Sequence, residues 1–338
     1  RVRISMEMMA SRTESSISRD TKSANNIQAS IQPMTLIVLV GPTAVGKTSV
    51  AIRLAQALSC PIINCDSRQI YQGMDIGTAA PTPQELAQAE HYFVRQLHLG
   101  EEYSAARYEQ DVLQLMQKLS ATHTYAILSG GSMMYVDAVC QGIDDIPTVD
   151  AQVRSRLHER YEQEGLQPLL AELLLLDPEY YQLVDRHNHK RVIHALEICH
   201  TSGRTYTSFR VRTHRERPFS IIKIGLRRSR EELFARINAR VDQMMSDGFL
   251  QEARALYPQR HLNALNTIGY KEMFRVIDGE WELPMAVERV KKNTRVYAKK
   301  QMTWYQRDPS IRWFHPDETA DILEYIRKQS SSPNDTSR

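Results

Sequence analysis

The sequence predicts an α/β fold built on a parallel sheet, from three observations. Thr35-Leu-Ile-Val-Leu-Val40 is continuously apolar and largely β-branched, the pattern of a strand buried on both faces. A glycine-rich turn follows it, and then an amphipathic stretch from about Thr48 to Leu58 that reads as a helix. Short apolar runs and helical patterns alternate further on: Pro61 to Cys65, a helix over 104–119, Thr124 to Leu128 closed by Gly130-Gly131, and Phe219 to Leu226. Strands alternating with helices are parallel strands joined by crossovers.

The alternation is interrupted once. After Pro147, residues 150–202 carry helical periodicity with no strand, and 204–217 are loop-like and basic, with Arg204, Arg210, Arg212, Arg215 and Arg217. The expected organisation is therefore an α/β core in two parts, 34–145 and 218–316, around a helical insertion domain at 146–217. The second part ends in basic helices, and 317–338 is expected to be a polar, fraying tail. Residues 1–33 are polar and serine-rich, and are expected to be disordered or a non-native extension ahead of Met34.

Composition narrows the function classes. Of 338 residues, 42% are hydrophobic and 25% charged, an ordinary globular balance. Cys60, Cys65, Cys140 and Cys199 form no C-x-x-C pair and no zinc spacing, which points to reduced thiols in a cytoplasmic protein. No apolar run reaches membrane-spanning length, so no membrane partner is expected. A net charge of +3 is too mild to establish nucleic-acid binding, and the local distribution of charge has to decide.

The strongest motif is Gly41-Pro42-Thr43-Ala44-Val45-Gly46-Lys47-Thr48, a full G-x-x-x-x-G-K-[ST] between a strand and a helix. Its glycines let successive N–H groups face one anion, and the helix N-terminus adds positive charge. Lys47 supplies a mobile cation and Thr48 a hydroxyl suited to Mg²⁺. The core is thus of the P-loop NTPase-like kind. The motif specifies a diphosphate or triphosphate, which kinases, NTPases and transferases with a diphosphate leaving group all share.

Other candidates stand at strand ends, where ligands bind in open α/β sheets. Asp66 and Ser67 are followed by Gln69 and Tyr71. A carboxylate beside a phosphate site either binds Mg²⁺, accepts a proton, or caps the next turn. Gly130-Gly131-Ser132 permits close approach to a ligand and offers a hydroxyl. Arg236 and Arg240 share one helical face and are able to clamp phosphate oxygens. Between Arg289 and Arg307, Lys291, Arg295 and Lys299 recur every four residues as one cationic face, with Tyr297, Trp304 and Tyr305 nearby; read alone it is a solvated surface, and coupled to the other motifs it is expected to hold RNA backbone.

In order, GPTAVGKT (41–48), DSRQIY (66–71), GMDIGTA (73–79), YSAARY (103–108), GGSMMY (130–135), HNHKRVIHALEI (187–198), TIGYKE (267–272) and NTRVYAKKQMTWY (293–305) resemble the tRNA dimethylallyltransferases, also called tRNA isopentenyltransferases, in their bacterial form. The likeness runs from about residue 36 to 316. It implies dimethylallyl diphosphate as donor, with Mg²⁺, and adenosine 37 beside the tRNA anticodon as acceptor. By that resemblance Asp66 is the general base at N6, Ser132 stands where the family usually has Thr, and Arg240 binds donor phosphates. The resemblance also assigns Asp66, Ser67, Arg68, Gln69, Ser132, Arg154, Lys190, Arg191, His194, Thr267, Ile268, Gly269, Tyr270, Lys271 and Glu272 to tRNA contact. His194 replaces a usual Arg and Lys190 a usual Gln, so the contacts there depart from the family pattern. A single chain able to clamp tRNA is expected to act as a monomer. One rival reading is a P-loop kinase for a small molecule or nucleoside, which would need ATP and a phosphoryl acceptor; another is a non-enzymatic P-loop RNA-binding module that uses nucleotide as a switch and would have no need of Asp66.

Overall fold

In the computed structural model, residues 34–144, 146–210 and 215–331 are described. The expectation for 1–33 lies outside the described residues, as do Arg212 and the last part of the expected tail, 332–338. The chain runs β1 (Thr35–Val40), α1 (Lys47–Leu58), β2 (Ile62–Asn64), α2 (Pro83–Leu86), β3 (His91–Tyr92), α3 (Ala105–Leu119), β4 (Tyr125–Ser129) and α4 (Met133–Gln141). Helices α5 (Ala151–Glu164), α6 (Leu166–Leu176), α7 (Pro178–Leu183) and α8 (His189–Ser202) follow. Then come β5 (Ser220–Leu226), α9 (Arg230–Ser246), α10 (Phe249–Leu256), α11 (Tyr270–Ile277), α12 (Leu283–Tyr305), β6 (Arg312–Phe314) and α13 (Thr319–Ser331).

The six strands form one parallel sheet in the order β3-β2-β4-β1-β5-β6. All six residues of β1 are buried, as a continuous apolar run in a central strand requires. Alternate side chains serve two cores. Leu36, Val38 and Val40 pack with Tyr108 and Val112 of α3 and Val136 of α4. Ile37 and Leu39 pack with Val50 and Leu54 of α1 and Ile322 and Ile326 of α13. The register pairs Leu39 with Ser129, and Ser129 with Asn64. The loops leaving β1, β4 and β2 therefore emerge side by side at one edge of the sheet, and this alignment positions the site.

Helices α5 to α8 bury their own apolar cluster, including Leu157, Leu169, Leu173, Val192 and Leu196. Fully buried Asp177 ties them together: its carboxylate accepts from the Tyr180 N–H at 3.0 Å, the Thr207 N–H at 2.7 Å and the Thr207 hydroxyl at 2.8 Å. Two arginines of the basic 204–217 stretch fasten this region to α3 and α4. Arg217 reaches buried Glu109 at 2.7 Å and the Ala138 carbonyl at 2.7 Å, and Arg215 lies 3.7 Å from Glu109.

Three features differ from expectation. The edge strands β3 and β6 are two and three residues long, too short to leave a periodic pattern. The expected polar tail is helical over Thr319–Ser331. Ile322 and Ile326, one turn apart, are completely buried there, and Arg53 ties the start of the helix through Thr319 Oγ1 at 3.1 Å and the Pro316 carbonyl at 3.0 Å. Two isoleucines at i, i+4 suffice to dock an otherwise polar helix on a preformed face.

Candidate active site

The phosphate loop lies between β1 and α1. Gly46 caps α1 with φ of 112°, a left-handed backbone that glycine adopts without steric cost. The first turn of α1 holds no acidic side chain, so its exposed N–H groups keep their positive field. Lys47 folds back over the loop, its Nζ donating to the Gly41 and Pro42 carbonyls at 2.8 and 2.9 Å. Burial, reinforced by the Arg240 charge and opposed by Asp66, pulls the Lys47 ammonium down to about 7. From α9, Arg240 Nη1 donates to Thr43 Oγ1 at 3.3 Å, and burial lowers Arg240 as well. The expected pair divides its roles: Arg240 lines the cavity, while Arg236 donates from its Nε to the Ala44 carbonyl at 2.8 Å and holds the loop from outside. Arg228, unmarked in the sequence, does the same at the Val45 carbonyl at 2.9 Å.

Asp66 follows β2, and its carboxylate has two faces. Oδ1 accepts from the Arg68 and Gln69 N–H groups at 2.9 and 3.2 Å, so the capping role is real. Oδ2 turns toward Gly131 in the cavity. Capping and a reactive role are thus compatible in one side chain. Gly130 explains the closeness of the two strand ends: a Cβ there would stand 2.1 Å from the Cys65 carbonyl carbon. Ser132 N–H donates to the Cys65 carbonyl at 3.0 Å; its hydroxyl makes no capping bond to α4 and lines the cavity.

Some of these groups share one cavity of about 360 Å³, which Thr43 lines and the rest of the phosphate loop, Lys47 included, does not. Thr43, Asp66, Ser67, Arg68, Ser132 and Arg240 meet there. Thr267, Ile268, Gly269 and Lys271 close it on another side. Ile237, Val241, Met244 and Val290 supply an apolar wall beside Arg240. A carboxylate and an apolar wall in one cleft beside a phosphate cradle suit a substrate with an anionic head and a small hydrocarbon tail.

Other expected contacts are placed elsewhere. The Gln69 amide donates to the Thr78 and Ala79 carbonyls at 3.0 and 3.1 Å and braces that loop. Tyr270 and Glu272 are buried. The Tyr270 hydroxyl donates to Glu252 at 2.5 Å, and Glu272 accepts from the Gly269 N–H at 2.7 Å and from Asn293 at 2.7 Å. Both side chains are buried and shape the 267–271 loop from beneath. Arg154 and His194 converge on buried Glu197 at 3.4 and 3.3 Å, while Lys190 and Arg191 are exposed. None of these four lines the cavity.

The cationic face expected on α12 is also redistributed. Lys291 pairs with Asp242 at 2.7 Å and Glu288 at 3.1 Å, and Arg295 donates to Asn238 at 2.6 Å. Both therefore join α12 to α9. Lys299 is exposed, and the solvent face of α12 also carries Arg289, Lys292 and Lys300. Spacing of four fixed a face of the helix but not which neighbour covers it.

Two further residues have no role predicted from the sequence, although Gln301 lies within the 293–305 motif. Glu252 accepts from the N–H groups of Asp75, Ile76 and Gly77 at 3.1, 2.8 and 2.8 Å, setting the loop whose Gly77, Thr78 and Ala79 line the cavity. Gln301 is completely buried between the loops after β1 and β4. Neither gives a local signal, because each partner lies far along the chain.

Among the described residues no cluster of three His, Cys, Asp or Glu side chains has metal-binding geometry. A Mg²⁺ ion held chiefly by phosphate oxygens and water needs no such cluster and takes one hydroxyl as a further ligand. Thr48, exposed in the first turn of α1, offers such a hydroxyl.

A profile described as IPPT, IPP transferase, matches residues 69–308. Among curated proteins, a tRNA dimethylallyltransferase 1 from Phocaeicola vulgatus is 61% identical over 294 residues, covering 87% of this chain and 98% of the relative. A tRNA dimethylallyltransferase 1 from Bacteroides thetaiotaomicron is 58% identical over 296 residues, covering 88% and 96%. Among solved structures, the full-length tRNA isopentenylpyrophosphate transferase of Bacillus halodurans superposes with a TM-score of 0.65 at 33% identity, covering 88% of this chain and 96% of that one. A eukaryotic dimethylallyltransferase acting on tRNA superposes with a TM-score of 0.74 at 25% identity, covering 90% and 82%.

Proposed function

We propose, from the premise that this chain belongs to the IPP transferase family of tRNA dimethylallyltransferases, that it moves the dimethylallyl group of dimethylallyl diphosphate to N6 of adenosine 37 in tRNA. One observation carries the reading: Thr43 of the phosphate loop, Arg240 and an apolar wall share a 360 Å³ cavity with Asp66 and Ser132. In this reading the diphosphate sits at the phosphate loop with Lys47 and Arg240, and the five-carbon group runs along Val241, Met244 and Val290, which line the cavity beside Thr43 and Arg240. The amine nitrogen bonds to C1 of the allyl group as the C1–O bond breaks. The electron pair leaves with diphosphate, and the amine proton passes to Asp66 Oδ2.

Charge builds on the departing oxygens, so preorganised donors at that end carry most of the acceleration. Lys47 and Arg240 are such donors, desolvated before the substrate arrives. Mg²⁺ at Thr48 would add positive charge to the same oxygens. Asp66 works as a general base, a role worth about 10²–10⁴-fold. An adenine stacked in the anticodon loop does not present N6 to such a cavity, so the base is extruded on binding. A monomer in the cytoplasm suffices for this chemistry. Among the described residues, no helix is long and apolar enough to cross a membrane.

The test is incubation of the protein with labelled dimethylallyl diphosphate and total tRNA. Wild type should label tRNA, and Asp66→Ala should lower the rate by about 10²–10⁴-fold. Transfer of label from γ-labelled ATP to a small acceptor, with none from the allyl donor to tRNA, would overturn the assignment.

A further inference from the structure

We propose that Gln301 is a positioning residue for the transfer, a buried brace that sets the distance between the diphosphate loop and the carboxylate of Asp66. The inference rests on the reaction proposed above. Gln301 lies on α12, 258 residues along the chain from Thr43, and its side chain is completely buried. Its Oε1 accepts from the Thr43 N–H at 2.8 Å, and its Nε2 donates to the Gly131 carbonyl at 2.8 Å. The partners fix the amide orientation, because the Thr43 N–H offers only a donor and the Gly131 carbonyl only an acceptor.

Both partners lie at the reacting ends. Thr43 also receives Arg240 on its hydroxyl at 3.3 Å. Gly131 borders the base: a Cβ built there would stand 3.2 Å from Asp66 Oδ2 and 3.3 Å from Gln301 Nε2. The next residue, Ser132, is bound to the Cys65 carbonyl at 3.0 Å, one position before Asp66. The route from phosphate loop to base thus runs Thr43, Gln301, Gly131, Ser132, Cys65, Asp66. Tyr297, one turn before Gln301, places a second donor on the Gly131 carbonyl at 3.0 Å. In the sheet, β4 lies between β1 and β2; the loops after β4 and β2 are joined by the Ser132–Cys65 backbone bond, and the loops after β1 and β4 by Gln301. One glutamine crosses them, and attack on an allylic carbon is sensitive to misplacement of about 1 Å, worth about 10²-fold.

Two variants of the full chain test this, each assayed with labelled dimethylallyl diphosphate and tRNA and binding inorganic diphosphate in parallel. Gln301→Met keeps the volume and loses both bonds; kcat should fall about 10²-fold, with KM for tRNA within about twofold and the melting temperature close to wild type. Gln301→Glu keeps the acceptor for the Thr43 N–H and loses the donor to Gly131. It should retain diphosphate affinity while kcat falls at least about tenfold, a split that loss of general stability does not produce. Should Gln301→Met fail to fold, Gln301→Glu decides alone. A kcat within about twofold of wild type in the folded variants overturns the brace, as does a loss of activity that merely tracks the fraction folded. Wild type that fails to label tRNA would instead overturn the reaction, so the two failures are distinct.

Discussion

The two sides of the cavity are built by different means. The phosphate-loop side is a short continuous segment whose outward carbonyls are held by cations: Lys47 on Gly41 and Pro42, Arg236 on Ala44, and Arg228 on Val45. The opposite side is assembled from loops brought together by carboxylates, half-buried Glu252 and buried Glu272. Glu252 gathers the 75–77 amides, and Glu272 gathers Gly269 and Asn293. Cations pinning carbonyls compete for no loop amide; the Thr43 N–H is held by Gln301 and the Val45 N–H by the Pro42 carbonyl. Carboxylates pinning amides shape a surface without offering it positive charge. Exposed basic side chains have to supply that on the second side.

The largest effect that would break this contrast lies at Arg240. It is the cation that touches both the loop, through Thr43, and the cavity. Arg240→Ala should lower kcat by about 10²–10³-fold, the usual cost of removing one donor from a developing anion. Arg236→Ala should cost far less, because Arg236 holds a carbonyl from outside. Equal losses, measured as kcat in the label-transfer assay, would erase the distinction between the two.

A smaller effect follows from Lys47, whose ammonium is drawn down to about 7 by burial. The unfolded chain holds that proton up to about 10.4, so between these values it binds more protons than the folded protein does. Stability of the free protein from this group therefore rises with pH through that window. Diphosphate needs the charged amine, so its affinity should fall as pH rises above about 7, by at most tenfold per pH unit. Calorimetric titration with diphosphate from pH 6 to 9 checks the sign; an affinity that stays flat or rises would remove Lys47 from the donor site.

The same contrast explains what the sequence revealed. Residues 41–48, Asp66 and 130–132 are legible because each is a local pattern at the end of an apolar run, where strand, turn and ligand are neighbours in the chain. On the other side, the 267–272 segment mixes lining residues with buried Tyr270 and Glu272, and nothing in its order separates them. Gln301 is silent because one uncharged polar residue among lysines and aromatics looks like surface. Its partners are 258 and 170 residues away. Ile322 and Ile326 were lost among polar neighbours, since their burial depends on a face that α1 and the sheet already provide.

The smallest effect sharpens where RNA meets α12. Lys291 and Arg295 are engaged with α9, and the side-chain bond to Asp242, helped by Glu288, holds the Lys291 ammonium above its ordinary value. Charges already paired release few counterions on binding RNA, whereas exposed ones release them in full. Replacing Arg289, Lys292 and Lys300 together by Gln should therefore reduce the slope of log affinity for tRNA against log salt by about 2, at roughly 0.7 for each contact to single-stranded RNA. Replacing Lys291 and Arg295 should leave that slope nearly unchanged and loosen the packing of α12 on α9, seen as a lower melting temperature. The reverse pattern, a slope that follows Lys291 and Arg295, would mean that these two leave their partners on α9 when tRNA arrives. The second side of the cavity would then be a surface remade by its substrate, unlike the phosphate loop, whose framework is set beforehand.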